Sequence, residues 1–200
     1  MCLLLETIRV YDGIFCYPEY HQERMDRSRE KLFPGSSRIK ISEIRIPESF
    51  KSGVYKCRII YGSRIEKTEF FPYGRKHIRN LKLVDAPDLD YSYKYLDRSG
   101  IEKLQESNPG YDEIILVKNR VITDTSFSNL AFLSGIKWFT PAEPLLAGTK
   151  RQRLIDCGIL TPVTITVDDL FCYSHVSLIN ALLELTDILL PVSAIEKQIP

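Results

Sequence analysis

Alternating apolar and polar positions open the chain. "LLLETIRVYDGIFCY" reads as two β-runs about a Tyr11-Asp12-Gly13 turn, the signature of a hairpin. "PEYHQERMDRSREKLF" changes to helical spacing, with Pro18 suited to a first turn, Tyr20, Met25 and Leu32 as sparse apolar members, and "PGSS" as the stop. Most of that helix surface is charged. "RIKISEIRI", "VYKCRIIYG" and "RIEKTEFF" are strand-like, with turns at Ser52-Gly53 and Gly62-Ser63. Residues 1–84 therefore predict a small sheet with one main helix. "FPYGRKHIRNLKLVDAPDLD" gathers Pro, Gly and charge into a connection, and a second, larger domain is expected over 85–200.

"DYSYKYLDRS" alternates within this second part: Tyr91, Tyr93 and Tyr95 share one parity, and Lys94 takes the other. On a strand the tyrosines would pack one face and the lysine would project from the opposite one. Next come a helix over "DRSGIEKLQES", a strand "DEIILVK", an Asn119-Arg120 turn, "VITD", and a hairpin in "SNLAFLSGIKWFTP" about Ser134-Gly135. Gly148 leads a helix "TKRQRLIDCG", and "VTITVDDLFCYSHVSLINALLEL" supplies strand, short helix and strand. This order indicates an α+β fold, not a doubly wound parallel sheet.

Charge narrows the range of partners. With 27 basic and 26 acidic residues, the net charge of +1 creates no global field for nucleic acid or an anionic membrane. One local cluster, "YGRKHIRNLK", places Arg75, Lys76, His77, Arg79 and Lys82 beside Tyr73, so a nucleic-acid module is one alternative and a solvated loop the other. Five cysteines without a C-x-x-C pair suggest neither a disulfide framework nor a zinc site, and the three histidines are too dispersed for a metal. Reduced thiols and the lack of any run of about 18 apolar residues fit a soluble cytoplasmic protein.

Three segments carry candidate chemistry, each with a plainer alternative. Lys94 in a partly apolar cleft would lose its preference for the ammonium form and act as a nucleophile, or it is a solvated surface lysine. Asp124, followed by Thr125, Ser126, Ser128 and Asn129, could face a ring nitrogen, or it opens an ordinary polar turn. Gly148, Thr149 and Lys150 begin a helix whose amide end suits a phosphate. Arg24 in "HQERMDRS" could add a guanidinium to that anion, or simply face water.

Taken in order, these segments resemble the pyridoxal 5'-phosphate (PLP) enzymes of fold type IV, the class IV aminotransferases, and among them the 4-amino-4-deoxychorismate lyase-like branch. "ETIRVYDG" is similar to the family's opening strand and turn, "HQERMDRS" to its H-x-x-R segment and "YKYLDRS" to the lysine segment. "ITDTSFSNLAF", "WFTP", "PLLAGTKR" and "INAL" are similar to its acid and phosphate blocks. The resemblance implies a two-domain enzyme with a small N-terminal α/β sheet domain and a β-rich, barrel-like C-terminal domain. It implies that Lys94 holds the cofactor covalently, that Arg24 binds its phosphate and that Asp124 faces the pyridine nitrogen. Gly148 and the backbone of Thr149 and Lys150 would complete the phosphate cup with Asn180, and Ser128 and Asn129 would lie beside the cofactor.

It further implies a homodimer acting on a small amino substrate, with the cofactor between the domains. A lyase would release pyruvate and p-aminobenzoate; a branched-chain or D-amino acid type aminotransferase is the alternative, and a member that has lost turnover a third. Two departures stand out. Asp124 occupies the place of a glutamate one methylene longer, and Ser99 a place where some aminotransferases have tyrosine.

Overall fold

The opening hairpin forms as β1 (Leu4–Tyr11) and β2 (Ile14–Phe15). Asp12 and Gly13 both adopt left-handed backbone, φ 46° and 76°, which gives a two-residue turn the twist that antiparallel strands require. A computed structural model of the chain describes residues 2–196. Helix α1 (Pro18–Leu32) follows with its proline in the first turn. Its buried positions are His21, Arg24, Met25, Ser28 and Arg29, an i, i+3, i+4, i+7, i+8 stripe of which only Met25 is apolar. A polar stripe can be buried only where partners satisfy it. Arg29 illustrates this, donating from Nε to the Gly62 carbonyl and from Nη2 to the Ser37 and Ser63 carbonyls.

"RIKISEIRI", expected as a strand, instead carries a short 3-10 turn at Ile41–Glu43. The Gln22 side-chain amide explains the difference. It donates to the Ile39 carbonyl and accepts from the Ile41 amide, both at 2.8 Å, doing for this backbone what a neighbouring strand would do. Strands β3 (Val54–Tyr61) and β4 (Ile65–Pro72) complete an antiparallel sheet ordered β2-β1-β3-β4. Leu4, Ile8, Val10, Met25, Cys57, Ile59 and Tyr61 form its core. Burial pushes the Cys57 thiol up to about 12, so it is a packing group and not a nucleophile.

The chain divides into two compact units, and not at one point. Residues 2–75 and Tyr93–Asp97 make the first, and Lys76–Ser92 with the residues from Arg98 onward the second. The expected 84/85 junction falls inside the second unit, because β5 (Leu81–Asp85) pairs there with a later strand. Nor does "DYSYKYLDRS" form a strand. Asp90 Oδ1 accepts from the Ser92 amide at 3.0 Å and from its hydroxyl, a side-chain turn that competes with extended pairing. Lys94 is left-handed, φ 52°. The tyrosines do not share a face: Tyr91 is buried in the second unit, whereas Tyr93 and Tyr95 flank the first unit's core.

In the second unit, α2 (Ser99–Glu106) precedes β6 (Glu113–Lys118) and β7 (Val121–Thr125), joined by left-handed Asn119 and Arg120. Strands β8 (Asn129–Ser134) and β9 (Lys137–Pro141) form the next hairpin, whose two-residue loop is Gly135-Ile136, one position later than expected. Helix α3 (Thr149–Asp156), β10 (Leu160–Val163), β11 (His175–Ile179), β12 (Leu189–Pro191) and β13 (Ile195–Glu196) follow. They build two sheets, β13-β5-β6-β7 and β10-β9-β8-β11-β12, in which β5, β6 and β13 run parallel and the hairpins antiparallel. Five of the six residues of β6 are fully buried, as a strand covered on both faces requires. Among the described residues, no helix is long and apolar enough to cross a membrane.

Candidate active site

On β1, Leu4, Glu6, Ile8 and Val10 share a parity, so Glu6 is carried into the interior with its apolar neighbours and is fully buried. A buried carboxylate needs charged or hydrogen-bonding partners. Helix α1 supplies both, one turn apart: Arg24 donates from Nε to Oε1 at 2.8 Å and from Nη2 to Oε2 at 2.6 Å, and His21 Nδ1 lies 2.7 Å from Oε2. Burial alone would raise the Glu6 carboxyl, but the Arg24 charge and the two partners' hydrogen bonds outweigh it and bring it down to about 2. Burial also lowers His21, and the Arg24 and Lys94 charges add to this against the pull of Glu6. The His21–Glu6 contact is therefore a hydrogen bond from a neutral ring, and Glu6–Arg24 is the ion pair.

Lys94 is half-buried in the same unit. Its carbonyl accepts from the Leu5 amide at 3.0 Å, Tyr95 bridges Leu4, and the Leu96 amide donates to Leu3. Consecutive residues of β1 thus do two jobs: Leu5 fixes the Lys94 backbone, and Glu6 fixes the α1 side chains. Lys94 lies close enough to His21 for its charge to depress the imidazole. The first unit therefore gathers Lys94 and Arg24, two of the expected residues, around Glu6 and His21, which sequence reasoning passed over. Strand parity was the signal available for Glu6.

In the second unit Asp124, 3% exposed, stands at the end of β7, and Asn129 opens β8. Asn129 Nδ2 donates to Asp124 Oδ1 and to the Leu146 carbonyl, and the Leu146 amide donates to Asp124 Oδ2, all at 2.8 Å. Two residues on, Gly148 caps α3, and a β-carbon there would overlap Asn129 Oδ1. Thr149 and Lys150 are buried in the first turn of α3, and Lys150 Nζ pairs with Glu184 Oε1 at 2.6 Å. Arg151 is also buried; it donates to the Pro141 carbonyl and to Thr140 Oγ1, and burial lowers its pKa against the opposing charge of Asp124.

Ser128 and Asn180 do structural work in this arrangement. Ser128 closes the 125–128 turn, its carbonyl accepting from the Thr125 amide at 2.8 Å and its hydroxyl meeting Thr125 Oγ1 at 2.8 Å. Asn180 accepts from the Leu182 and Leu183 amides and reaches the Phe127 carbonyl at 3.4 Å. Glu113, another acid absent from the sequence expectations, holds the same turn by accepting from the Ser126 amide and hydroxyl. The basic run considered for nucleic acid is engaged locally: Lys76 lies over the Phe127 ring, Arg79 pairs with Asp112 and Lys82 lies over Tyr111.

Comparisons with known proteins establish the family. An uncharacterized protein of Haemophilus influenzae is 36% identical over 183 residues, 90% of this chain and 97% of that protein. The structure of a candidate 4-amino-4-deoxychorismate lyase from Haemophilus somnus matches with a TM-score of 0.80 and 31% identity, over 91% of this chain and 97% of its own. A hypothetical aminotransferase from Mycobacterium tuberculosis, in its PLP-bound form, shares the fold at a TM-score of 0.69 and 17% identity, covering 90% and 78%. Residues 58–190 match the model of amino-transferase class IV, which spans the lysine, the acid turn and the α3 start. The chain belongs to the class IV amino-transferase family.

Proposed function

We propose that this class IV enzyme, whose cofactor is pyridoxal 5'-phosphate, is a lyase converting 4-amino-4-deoxychorismate to pyruvate and p-aminobenzoate. The likeness to the Haemophilus somnus protein, 31% identical along nearly the full length of both chains, carries the choice of reaction. The residues suit the cofactor. Lys94 offers a primary amine on backbone held by β1. Arg24 presents a guanidinium whose orientation is set by two hydrogen bonds to Glu6, a group suited to an anion. Asp124 is a buried carboxylate oriented by Asn129 and Leu146, and an anion of this kind favours the protonated form of a ring nitrogen placed opposite it.

When bound, the cofactor supplies an electron sink for the pair left as a bond at the substrate's amino-bearing carbon breaks. With the cofactor bound, Lys94 Nζ would take the proton from that carbon. The C–O bond to the enolpyruvyl group then breaks with its electron pair on oxygen, the ring becomes aromatic, and a proton on the methylene carbon completes pyruvate. The amides that open α3 would bind the phosphate, and the absence of a β-carbon at Gly148 leaves room for the Asn129 amide oxygen. Asn129, Ser128 and Asn180 fix the turns around Asp124. The working form in this reading is a cytoplasmic homodimer, for which sedimentation at twice the chain mass is expected.

The absorbance spectrum tests the cofactor assignment. Purified protein should be yellow, and borohydride should fix the chromophore to Lys94; Lys94→Ala should lose that attachment entirely. Incubation with 4-amino-4-deoxychorismate should then release pyruvate and p-aminobenzoate. Formation only of new amino acids from 2-oxo acids would overturn the lyase assignment in favour of an aminotransferase.

A further inference from the structure

We propose that Asp124 and Asn129 act together as positioning residues for the backbone leading into α3, and so set how tightly the second unit holds a phosphate group. The proposal rests on the cofactor reading above but assigns Asp124 a role apart from the pyridine nitrogen.

The geometry is a closed clamp. Leu146 is held through both of its backbone polar groups, its amide by Asp124 Oδ2 and its carbonyl by Asn129 Nδ2. The two side chains are joined to each other through Asp124 Oδ1. Asn129 Oδ1 also lies against Gly148, where no β-carbon would fit. The Gly148 carbonyl then accepts from the Gln152 amide at 2.9 Å, the bond that opens the helix. Both clamping side chains are about 95% buried and stand on strand ends, the rigid part of this unit. Loop 142–148 has no ladder of its own to locate it, and the direction of the α3 amides depends on where Leu146 and Gly148 are held.

A residue acting only at the ring would affect phosphorylated and unphosphorylated ligands equally. A residue that locates the phosphate-facing backbone alters their ratio. Binding of pyridoxamine 5'-phosphate and of pyridoxamine, neither of which needs Lys94 for attachment, should be titrated with the full chain as wild type, Asn129→Ala, Asp124→Asn and the double variant. Each single variant should reduce the ratio of the two affinities about tenfold, the scale of one lost buried hydrogen bond. The double variant should reduce it little further, since the two residues form one network. An unchanged ratio in both single variants would overturn the proposal.

Amide exchange in cofactor-free protein gives a second readout that needs no ligand. The Leu146 amide should exchange about tenfold faster in Asp124→Asn. Unchanged protection would refute the clamp. Wild type that binds neither ligand would instead sink the cofactor reading, with the exchange result still deciding whether the clamp exists.

Discussion

In each unit a buried carboxylate on a strand sets a candidate functional segment, Glu6 in the first and Asp124 in the second, but the two act on different partners. In the first unit Glu6 on β1 holds two side chains of α1, one of them a full positive charge. In the second, Asp124 on β7 holds a side-chain amide and a backbone amide at the approach to α3. An ion pair with its neighbours is fixed by protonation states, whereas a clamp onto backbone is fixed mainly by shape. The two segments should therefore fail under different conditions, acid for the first and altered side-chain volume for the second.

The largest effect is expected at Glu6. Glu6→Gln keeps the shape but leaves the buried Arg24 guanidinium without its counter-charge, and breaking a buried pair from one side costs about 3–5 kcal/mol. Urea denaturation should show this as a lower midpoint with an unchanged slope. Acid should produce a related loss in wild type. Glu6 falls from 4.5 to about 2 on folding, so its contribution is complete above pH 4.5 and disappears as the pH falls toward 2, on the order of 3 kcal/mol. His21 is lowered from 6.5. The fold therefore favours its neutral form, and that contribution also weakens as the pH drops below 6.5 and the unfolded chain takes up the proton. Both groups act in the same direction, and in Glu6→Gln the stability curve should be flatter between pH 4.5 and 2. An equally steep acid limb in the variant would place the sensitivity elsewhere.

Shape should dominate in the second unit. Gly148→Ala places a methyl group against Asn129 Oδ1, which cannot easily withdraw because Nδ2 of the same side chain bonds Asp124 and Leu146. Overpacking of this kind costs about 1–3 kcal/mol. The cost should shrink to within about 0.5 kcal/mol when Gly148→Ala is made in an Asn129→Ala background, a coupling that a double-mutant cycle reads directly. Additive losses would show that the glycine is required for some other reason.

Much of this arrangement was legible in sequence wherever local chemistry and tertiary structure agree. Asp12-Gly13 and Asn119-Arg120 mark turns between period-2 runs, and the strands on either side formed as read. Reading failed where a side chain replaced a backbone partner. Gln22 satisfies the Ile39–Ile41 segment, and Asp90 turns the chain where tyrosine parity had suggested a strand. The left-handed Lys94 followed from no local pattern, because the Leu5 amide that accompanies it lies 89 residues earlier in the chain. Glu6 and the polar stripe of α1 were accessible through parity and helical period, but a search for apolar periodicity discounts polar members of a buried face. Asp124, Asn129 and Gly148 stood out through local chemistry and then through family resemblance, yet the hydrogen bonding of Asp124 and Asn129 to Leu146 depends on a loop whose sequence, "AEPLLAG", carries no periodicity.

The smallest effect should come from the ion pair between Lys150 and Glu184, and it separates burial of one partner from burial of both. Lys150 is buried like Arg24, but the Glu184 side chain is 45% exposed and Glu6 is not exposed at all. Water can solvate the Glu184 carboxylate and screen the pair, so Glu184→Gln should cost about 1 kcal/mol, the upper end of the range for surface pairs. Arg153, 3.5 Å from the other Glu184 oxygen, adds a second screened contact. Ionic strength makes the contrast measurable. Raising salt from 0.05 to about 1 M shortens the Debye length to about 3 Å and should erase most of the Glu184→Gln difference, while the Glu6→Gln difference, shielded from solvent ions, should persist. A Glu6→Gln loss that faded with salt as fast as the Glu184→Gln loss would mean that ions reach the Glu6 cluster, and the contrast between the two units would then lie in side-chain chemistry alone.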